Sequence, residues 1–496
     1  MYELTRSDIW ECVFLAVPIF LCVVCVFRYA LEHESILRFD RCKTWRWLLL
    51  SGICFLGWLV YYLVFFPGSM SGDSYSSLQQ ALGEAELNNH HPVLFTLIVK
   101  IFVKIGLLFD SVQVGVGLFS LFQMLVLALV LGRTVEWLYV KGAKKEICIF
   151  AEIFYAVNPV IAIYSFTMWK DILFSAGVIL FVMVIYDILT QKEKYLSAKQ
   201  LIELVLICLW VAFMRNNGLY IVIVALVVLG IYYRRLWKKI IPVFAGVVLV
   251  IVFIQGPVYK MLGIKKSSLA ESLGVPLQQV GYTLKNDGNI TEEQKEFLNN
   301  IMPLDVWKEN YHPCSVDPIK FHADFNKEFF EENKVEFLLL WADMLPSNLV
   351  KYIKGYCSLT VGYWYMDITN WKCTFGVEDF ITNVPSTNFI EKITGKDYSL
   401  AIWDLVEIRL TNMPVVSYLY RIAFPVWLMI FCMCIMFVRK EKKYIIALIP
   451  LLVNWGTLMI ATPIFCEFRY MYSFHLAIPI LFALILLKKN SEQNNN

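Results

Sequence analysis

The residues of this 496-residue chain that could do chemistry sit in a few short clusters. The first is Pro67-Gly68-Ser69-Met70-Ser71-Gly72-Asp73-Ser74-Tyr75, in which Asp73 is the only acid among small residues. A carboxylate held there can act as a general base or bind a cation. It can equally cap a helix, since Gly-Asp-Ser ahead of SYSSLQQAL is a helix-start signal. The second cluster is Asn88-Asn89-His90-His91-Pro92. Paired histidines suggest a metal, but adjacent residues do not easily aim at one ion, and proline suits an ordinary first helical turn. Contact with substrate is the preferred reading for His90 and His91.

The third cluster, Trp169-Lys170-Asp171, is either a snorkelling boundary or a second carboxylate set opposite Asp73. The fourth, Cys466-Glu467-Phe468-Arg469-Tyr470 with His475 beyond it, puts charge at the start of an apolar run. At a membrane helix centre each such charge costs about 2.5–3.5 kcal/mol, and less near an end, so a structural Glu467–Arg469 contact competes with a substrate role. Arg215-Asn216-Asn217-Gly218 adds an arginine at a turn signal. Guanidinium matches phosphate geometry, so Asp73, Asp171, Arg215 and Arg469 lining one cleft would suit transfer of a group from a lipid phosphate to an acceptor.

What must position these clusters is a membrane. The chain is 58% hydrophobic and 17% charged, where a soluble protein is roughly 45–50% apolar and about 25% charged. Its apolar residues gather in runs near the length needed to cross a bilayer. Eleven spans are expected, at 8–28, 47–66, 112–132, 147–166, 172–189, 200–214, 218–233, 240–258, 416–438, 444–463 and 469–487. The first run has neither a basic flank nor a cleavage site ahead of it, so it is not read as a signal peptide. Lys and Arg collect in 28–46, 133–146, 234–239 and 439–443 and after the last span, whereas 67–91 has none. The positive-inside rule then puts the amino terminus outside the cell, the carboxyl terminus in the cytoplasm and all four clusters on the outer face. This holds only if 92–109 is not a span. Its Lys100 and Lys104 lie four residues apart on one helical face, as in a helix lying in the interface.

The expected organisation is an additional span and cytoplasmic loop over 1–46, a transmembrane core over 47–258 whose first extracytoplasmic loop is 67–111, a cap over 259–415, and a three-span segment over 416–496. The cap should carry amphipathic stretches at 292–300 and 326–341, turns at 281–289 and 382–388, and a membrane-packed stretch at 336–363. The fold class is all-α and polytopic, with two juxtamembrane helices. Most of the thirteen cysteines fall in apolar runs as small hydrophobes, while Cys314, Cys357 and Cys373 lie in the cap, where a pairing is open. No metal-ligand spacing, repeat or P-loop is present.

This pattern resembles the GT-C superfamily of polyprenyl-phosphate-dependent membrane glycosyltransferases, which includes protein O-mannosyltransferases and aminoarabinose transferases. The resemblance runs from about residue 47 onward and is closest to a bacterial branch of unassigned function. Asp73 stands at the position of the family's catalytic acid after the first core span, with 74–84 and 92–109 as the two juxtamembrane helices. Asp171 matches the second-loop acid, although it belongs to a Lys-Asp pair and not an acidic pair. Met214-Arg215-Asn216-Asn217-Gly218 resembles a later basic turn, and Glu467-Phe468-Arg469-Tyr470 a late Arg-Tyr motif. The C-terminal soluble domain of oligosaccharyltransferases is absent, and the long 259–415 loop takes an unfamiliar place for the family. The resemblance implies an inverting transferase in which Asp73 and Asp171 are catalytic. His90, His91, Lys170, Arg215, Glu467, Arg469 and Tyr470 would contact substrates. No cofactor is required and a divalent cation is optional. The implied partners are a polyprenyl-phosphate-linked sugar, a cell-envelope glycan, lipid or protein acceptor, and membrane lipids, with no nucleic acid. The alternatives are a transporter or flippase of lipid-linked sugar, and an inactive envelope protein that kept the fold.

Overall fold

In hydrocarbon each backbone N–H and C=O must be satisfied within its own segment, so apolar runs fold as helices. The protein is seen here as a computed structural model that describes Arg28 and residues 35–36, 42–191, 197–234, 237–265 and 269–488. Among the described residues six helices are long and apolar enough to cross a membrane: Thr44–Val64, Val112–Val140, Lys170–Thr190, Ile240–Met261, Lys442–Ala461 and Phe468–Leu486. A bent pair, Lys145–Val157 and Pro159–Phe166, makes a seventh if counted as one span. Ala198–Met214, Gly218–Tyr232 and Phe424–Val438 are helical but shorter. The expected span at 8–28 lies outside the described residues apart from Arg28. Besides helices there is a two-residue parallel pairing of Ser35–Ile36 with Leu487–Lys488.

Three breaks explain where the expected spans change. Run 147–166 is not one straight helix but two, meeting at 54°. Pro159 pushes Asn158 into extended backbone, and the Asn158 carbonyl oxygen of the side chain then accepts from Val160 N and Ile161 N to start the second helix. Run 200–233 breaks at 215–217 as expected, and Gly218 is required there, since a Cβ would lie 2.1 Å from the Val211 carbonyl oxygen. Run 416–438 starts as a 3-10 turn, Val416–Tyr420, and becomes α-helical only at Phe424, beside Pro425.

The two segments expected as juxtamembrane helices are helical, over Gly72–Leu82 and Val93–Leu107. Val93–Leu107 buries Phe95, Val99 and Val103 against the long helix Val112–Val140, and its other face exposes Leu97, Ile101 and Ile105 beside Lys104. Gly106 and Gly115 let the two backbones touch, because a Cβ on Gly106 would sit 2.3 Å from Gly115 N.

The cap divides in two. Residues from Ala270 to Tyr352 build their own small core around Leu298, Trp307, Phe330 and Phe337. Tyr363, Cys373, Ile381, Val384 and Val406 instead join the main core of the membrane helices. The stretch expected as turns at 281–289 is helical through Lys285, and 336–363 lies largely in one helix, Lys334–Thr360. That helix has a non-helical residue at Asn348 just after Pro346, which has no N–H to give. Cys357 and Cys373 are free thiols, as is Cys314.

Candidate functional site

Asp73, Lys170, Asp171, Arg215, Glu467 and Arg469 converge at one end of the helix bundle. The local structure that brings them together is a backbone ribbon of three distant segments. Ser69 pairs with Thr167 in parallel, and Met168 N donates to Ser69 O at 2.9 Å. Met70 pairs with Val377, with Met70 N donating to Gly376 O at 2.9 Å. Gly68 follows the first core span at φ +138°, and a Cβ there would meet Ser120 Oγ at 2.4 Å, so only glycine lets the chain turn in this space.

Ser71, not Asp73, occupies the N-cap of Gly72–Leu82, and its N–H donates to Ser74 Oγ at 3.2 Å. Trp169 donates its indole N–H to Ser71 Oγ at 2.9 Å, and Ser74 Oγ donates to Met168 O at 2.8 Å. The capping reading of Asp73 is therefore corrected. Its carboxylate is one residue inside the helix and free to face other partners. Arg469 Nη1 lies 2.6 Å from Asp73 Oδ2 and Lys170 Nζ lies 3.6 Å from it. Burial pushes the Asp73 carboxyl up, but Arg469 and Lys170 outweigh it and hold the group well below the usual carboxylate range.

Lys170 also donates to His91 Nδ1 at 2.9 Å, which fixes His91 as a neutral acceptor. Burial first and Lys170 second push His91 down to about 2. His90 is exposed, with its ring edge-on to His91 at 4.7 Å. Asn216 donates to Asn89 O at 2.8 Å, which ties the Arg215 turn to the histidine segment.

Arg215 Nη1 lies 3.0 Å from Asp171 Oδ1, and its guanidinium stands 4.6 Å over the Tyr470 ring. Arg469 stands 5.1 Å over Trp169 and 5.2 Å over Tyr470. Arg469 Nε lies 3.3 Å from Glu467 Oε1. Glu467 is 2% exposed, and burial pushes its carboxyl up to about 7, Arg469 opposing and Asp171 and Asp73 adding to the rise. Both oxygens of Asp171, Glu467 Oε1, Arg215 Nη1 and Arg469 Nε are buried without a well-aligned hydrogen bond. These are ionic contacts whose directional bonding capacity is unspent, a costly arrangement in a dry interior.

Of the residues singled out from sequence, Asp73, His91, Lys170, Asp171, Arg215, Glu467, Arg469 and Tyr470 meet here, with His90 at the edge against His91. His475 does not; it is buried deeper, between Asn158 at 3.0 Å and the Leu419 carbonyl at 3.1 Å. Sequence reasoning missed the strap at 366–388. Trp371 lies 6.1 Å from Trp169 by ring centroid, and Phe380 lies 5.6 Å from Tyr75. Glu407 anchors the strap by accepting from Lys372 N at 2.9 Å and Cys373 N at 3.0 Å. The aromatic turn Trp371-Lys372-Cys373-Thr374-Phe375-Gly376 was the signal available in the sequence.

Among the described residues no group of three His, Cys, Asp or Glu side chains could hold a metal ion. Asp73 and Asp171 are each already neutralised by arginine, so the donor set does not fit a divalent cation.

Residues 80–496 match the family described as "Family of unknown function (DUF6020)", and the chain belongs to that family. The matched segment begins after Asp73 and contains every other charged residue of the cluster. No curated protein and no solved structure matches the chain.

Proposed function

We propose that this member of the DUF6020 family is a membrane glycosyltransferase of GT-C type, moving a sugar from a polyprenyl-phosphate donor to an acceptor in the cell envelope. One observation carries the reading: six charged residues from four separated segments converge at one end of apolar helices, with their hydrogen-bonding capacity incompletely used. Such a cluster is expensive to maintain for stability alone. Its chemistry suits an anionic leaving group that arrives from a bilayer.

The reading includes eleven spans with the cluster at the outer face. The donor tail lies among the helices and its phosphate faces Arg215, Arg469 and Lys170. Asp73, ionised at neutral pH, accepts a hydrogen bond from the acceptor hydroxyl and aims its oxygen at the anomeric carbon. The glycosidic C–O bond forms as the C–O bond to phosphate breaks, the electron pair leaving with the phosphate. The hydroxyl proton passes to Asp73 late in the step, so a weak base suffices. Asp171 keeps Arg215 in place from beneath.

The test is a transfer assay with purified protein in lipid, screening labelled polyprenyl-phosphate sugars. Transfer that is lost in Asp73→Asn supports the reading. Purified, folded protein that transfers none of a broad donor panel, or an Asp73→Asn variant as fast as wild type, overturns it.

A further inference from the structure

Arg469 is shared. Its Nη1 faces Asp73 and its Nε faces Glu467, so one guanidinium serves two carboxylates along adjacent edges. A phosphate that grips Arg469 through two adjacent N–H groups pairs Nη2 with either Nη1 or Nε, so it competes with one of the two carboxylates and sets a further anion beside both. The two differ in what displacement entails. Asp73 keeps Lys170 at 3.6 Å and is about a third exposed, so it can lose Arg469 and remain an anion. Glu467 is buried at 2% exposure and, among the described residues, has no other cation within ion-pair distance. An isolated buried carboxylate takes up a proton before it stays charged.

We infer that Glu467 is a proton-exchange residue, which positions Arg469 while the site is empty and takes up one proton when a phosphate anion claims that arginine. This rests on the reading of Arg469 as a phosphate ligand. The exchange balances: the site gains one negative charge with the phosphate and one positive charge with the proton, and the C–O chemistry is untouched. The proton comes from solvent and returns there when the lipid phosphate leaves. The charged groups around Glu467 are the carboxylates Asp73 and Asp171 and the guanidiniums Arg215 and Arg469. The phenols of Tyr164, Tyr363 and Tyr470 and the thiol of Cys466 complete the surroundings, and none of these supplies a cation.

The sign follows from the charges. Near neutral pH Glu467 is partly protonated, at about 7. Losing Arg469 and gaining a phosphate neighbour both raise its carboxyl further, so the bound state holds more protons. Phosphate affinity therefore rises as pH falls and weakens as pH rises through 7.

The probe is farnesyl methyl phosphate, a prenyl phosphate diester that does not itself titrate near neutrality, added to the full chain in detergent. Calorimetry at pH 6, 7 and 8, repeated in buffers of differing ionisation enthalpy, gives affinity and protons taken up. Wild type should take up about one proton at pH 8 and lose up to about tenfold in affinity per pH unit above 7. Glu467→Gln, checked for folding by its melting temperature, should bind the diester with no proton uptake and no pH dependence. Binding by wild type without proton uptake overturns the inference and leaves the phosphate reading standing. Uptake that persists in Glu467→Gln also overturns it. No binding of the diester at any pH overturns both.

Discussion

Glu136 and Asp73 sit at opposite ends of the same helix bundle, and each faces an arginine across a long gap in sequence. Glu136 is fully buried near the end of Val112–Val140 and accepts from Lys43 N at 2.8 Å and Arg46 Nη2 at 2.9 Å, with Arg46 Nε as a third partner. Nearby, Asp187 holds Lys141 at 2.8 Å and accepts the Trp137 indole N–H at 2.7 Å. Glu136 has aligned donors on both oxygens, as a lock between helix ends should. At the Asp73 end the same ingredients leave buried carboxylate oxygens and guanidinium nitrogens without aligned bonds. The difference teaches that pairing alone does not mark a site. On the proposed function, directional satisfaction separates the ion pair that holds helices here from those that would receive another anion.

The sharpest way to break this contrast is Glu136→Gln. It leaves Arg46 opposite a neutral amide, and losing one partner of a buried pair should destabilise by about 3 kcal/mol or more, read as a lower melting temperature. Transfer per folded molecule should be unchanged. Asp73→Asn should do the reverse. Ser71 holds the cap and Asp73 is about a third exposed, so losing its charge beside Arg469 should lower melting less than Glu136→Gln does, while transfer slows at least about a hundredfold. Equal damage to stability from both changes would erase the distinction between the two ends.

Arg469→Lys keeps the charge and loses the fork. It should lower transfer by about tenfold, the equivalent of one charge-assisted hydrogen bond, without unfolding the protein. Arg46→Lys at the opposite end should leave transfer alone. The smallest effect is a pH slope. Glu467 is raised to about 7 in the folded chain against about 4.3 when unfolded, so the native state binds more protons between those values. Stability should fall as pH rises from about 4.3 through 7 and then level off, and Glu467→Gln should flatten that slope. Asp73 is shifted the opposite way, so its contribution is present above about pH 4 and is lost only in acid.

The residues of the cluster were legible in sequence because charge in apolar surroundings is conspicuous, and turn signals located it at helix ends. The way Arg469 divides itself between Asp73 and Glu467 was not, since it depends on how a turn at 466–470 docks against a helix almost four hundred residues earlier. Sequence located the hinge at 215–217 through Asn-Gly, but missed the break at Asn158 inside an otherwise apolar run. Pro159 there is also compatible with a kinked continuous span, and the side-chain cap decides only in three dimensions. The cap was read as one unit because composition does not show which of its apolar residues face the membrane helices and which face each other.

The contact between Gly106 and Gly115 makes the helix Val93–Leu107 a lever with a fixed fulcrum. Fifteen residues span about 22 Å, with the glycine contact near one end and His91, against Lys170, just beyond the other. A single added methyl at Gly115 would meet Val103 Cα at 2.7 Å and has no side-chain tip to push aside, only backbone. The helix must tilt, and a small rotation at the fulcrum becomes its largest displacement at the histidine. The spacing of the charged cluster is thus set in part by the absence of a methyl group a helix length away.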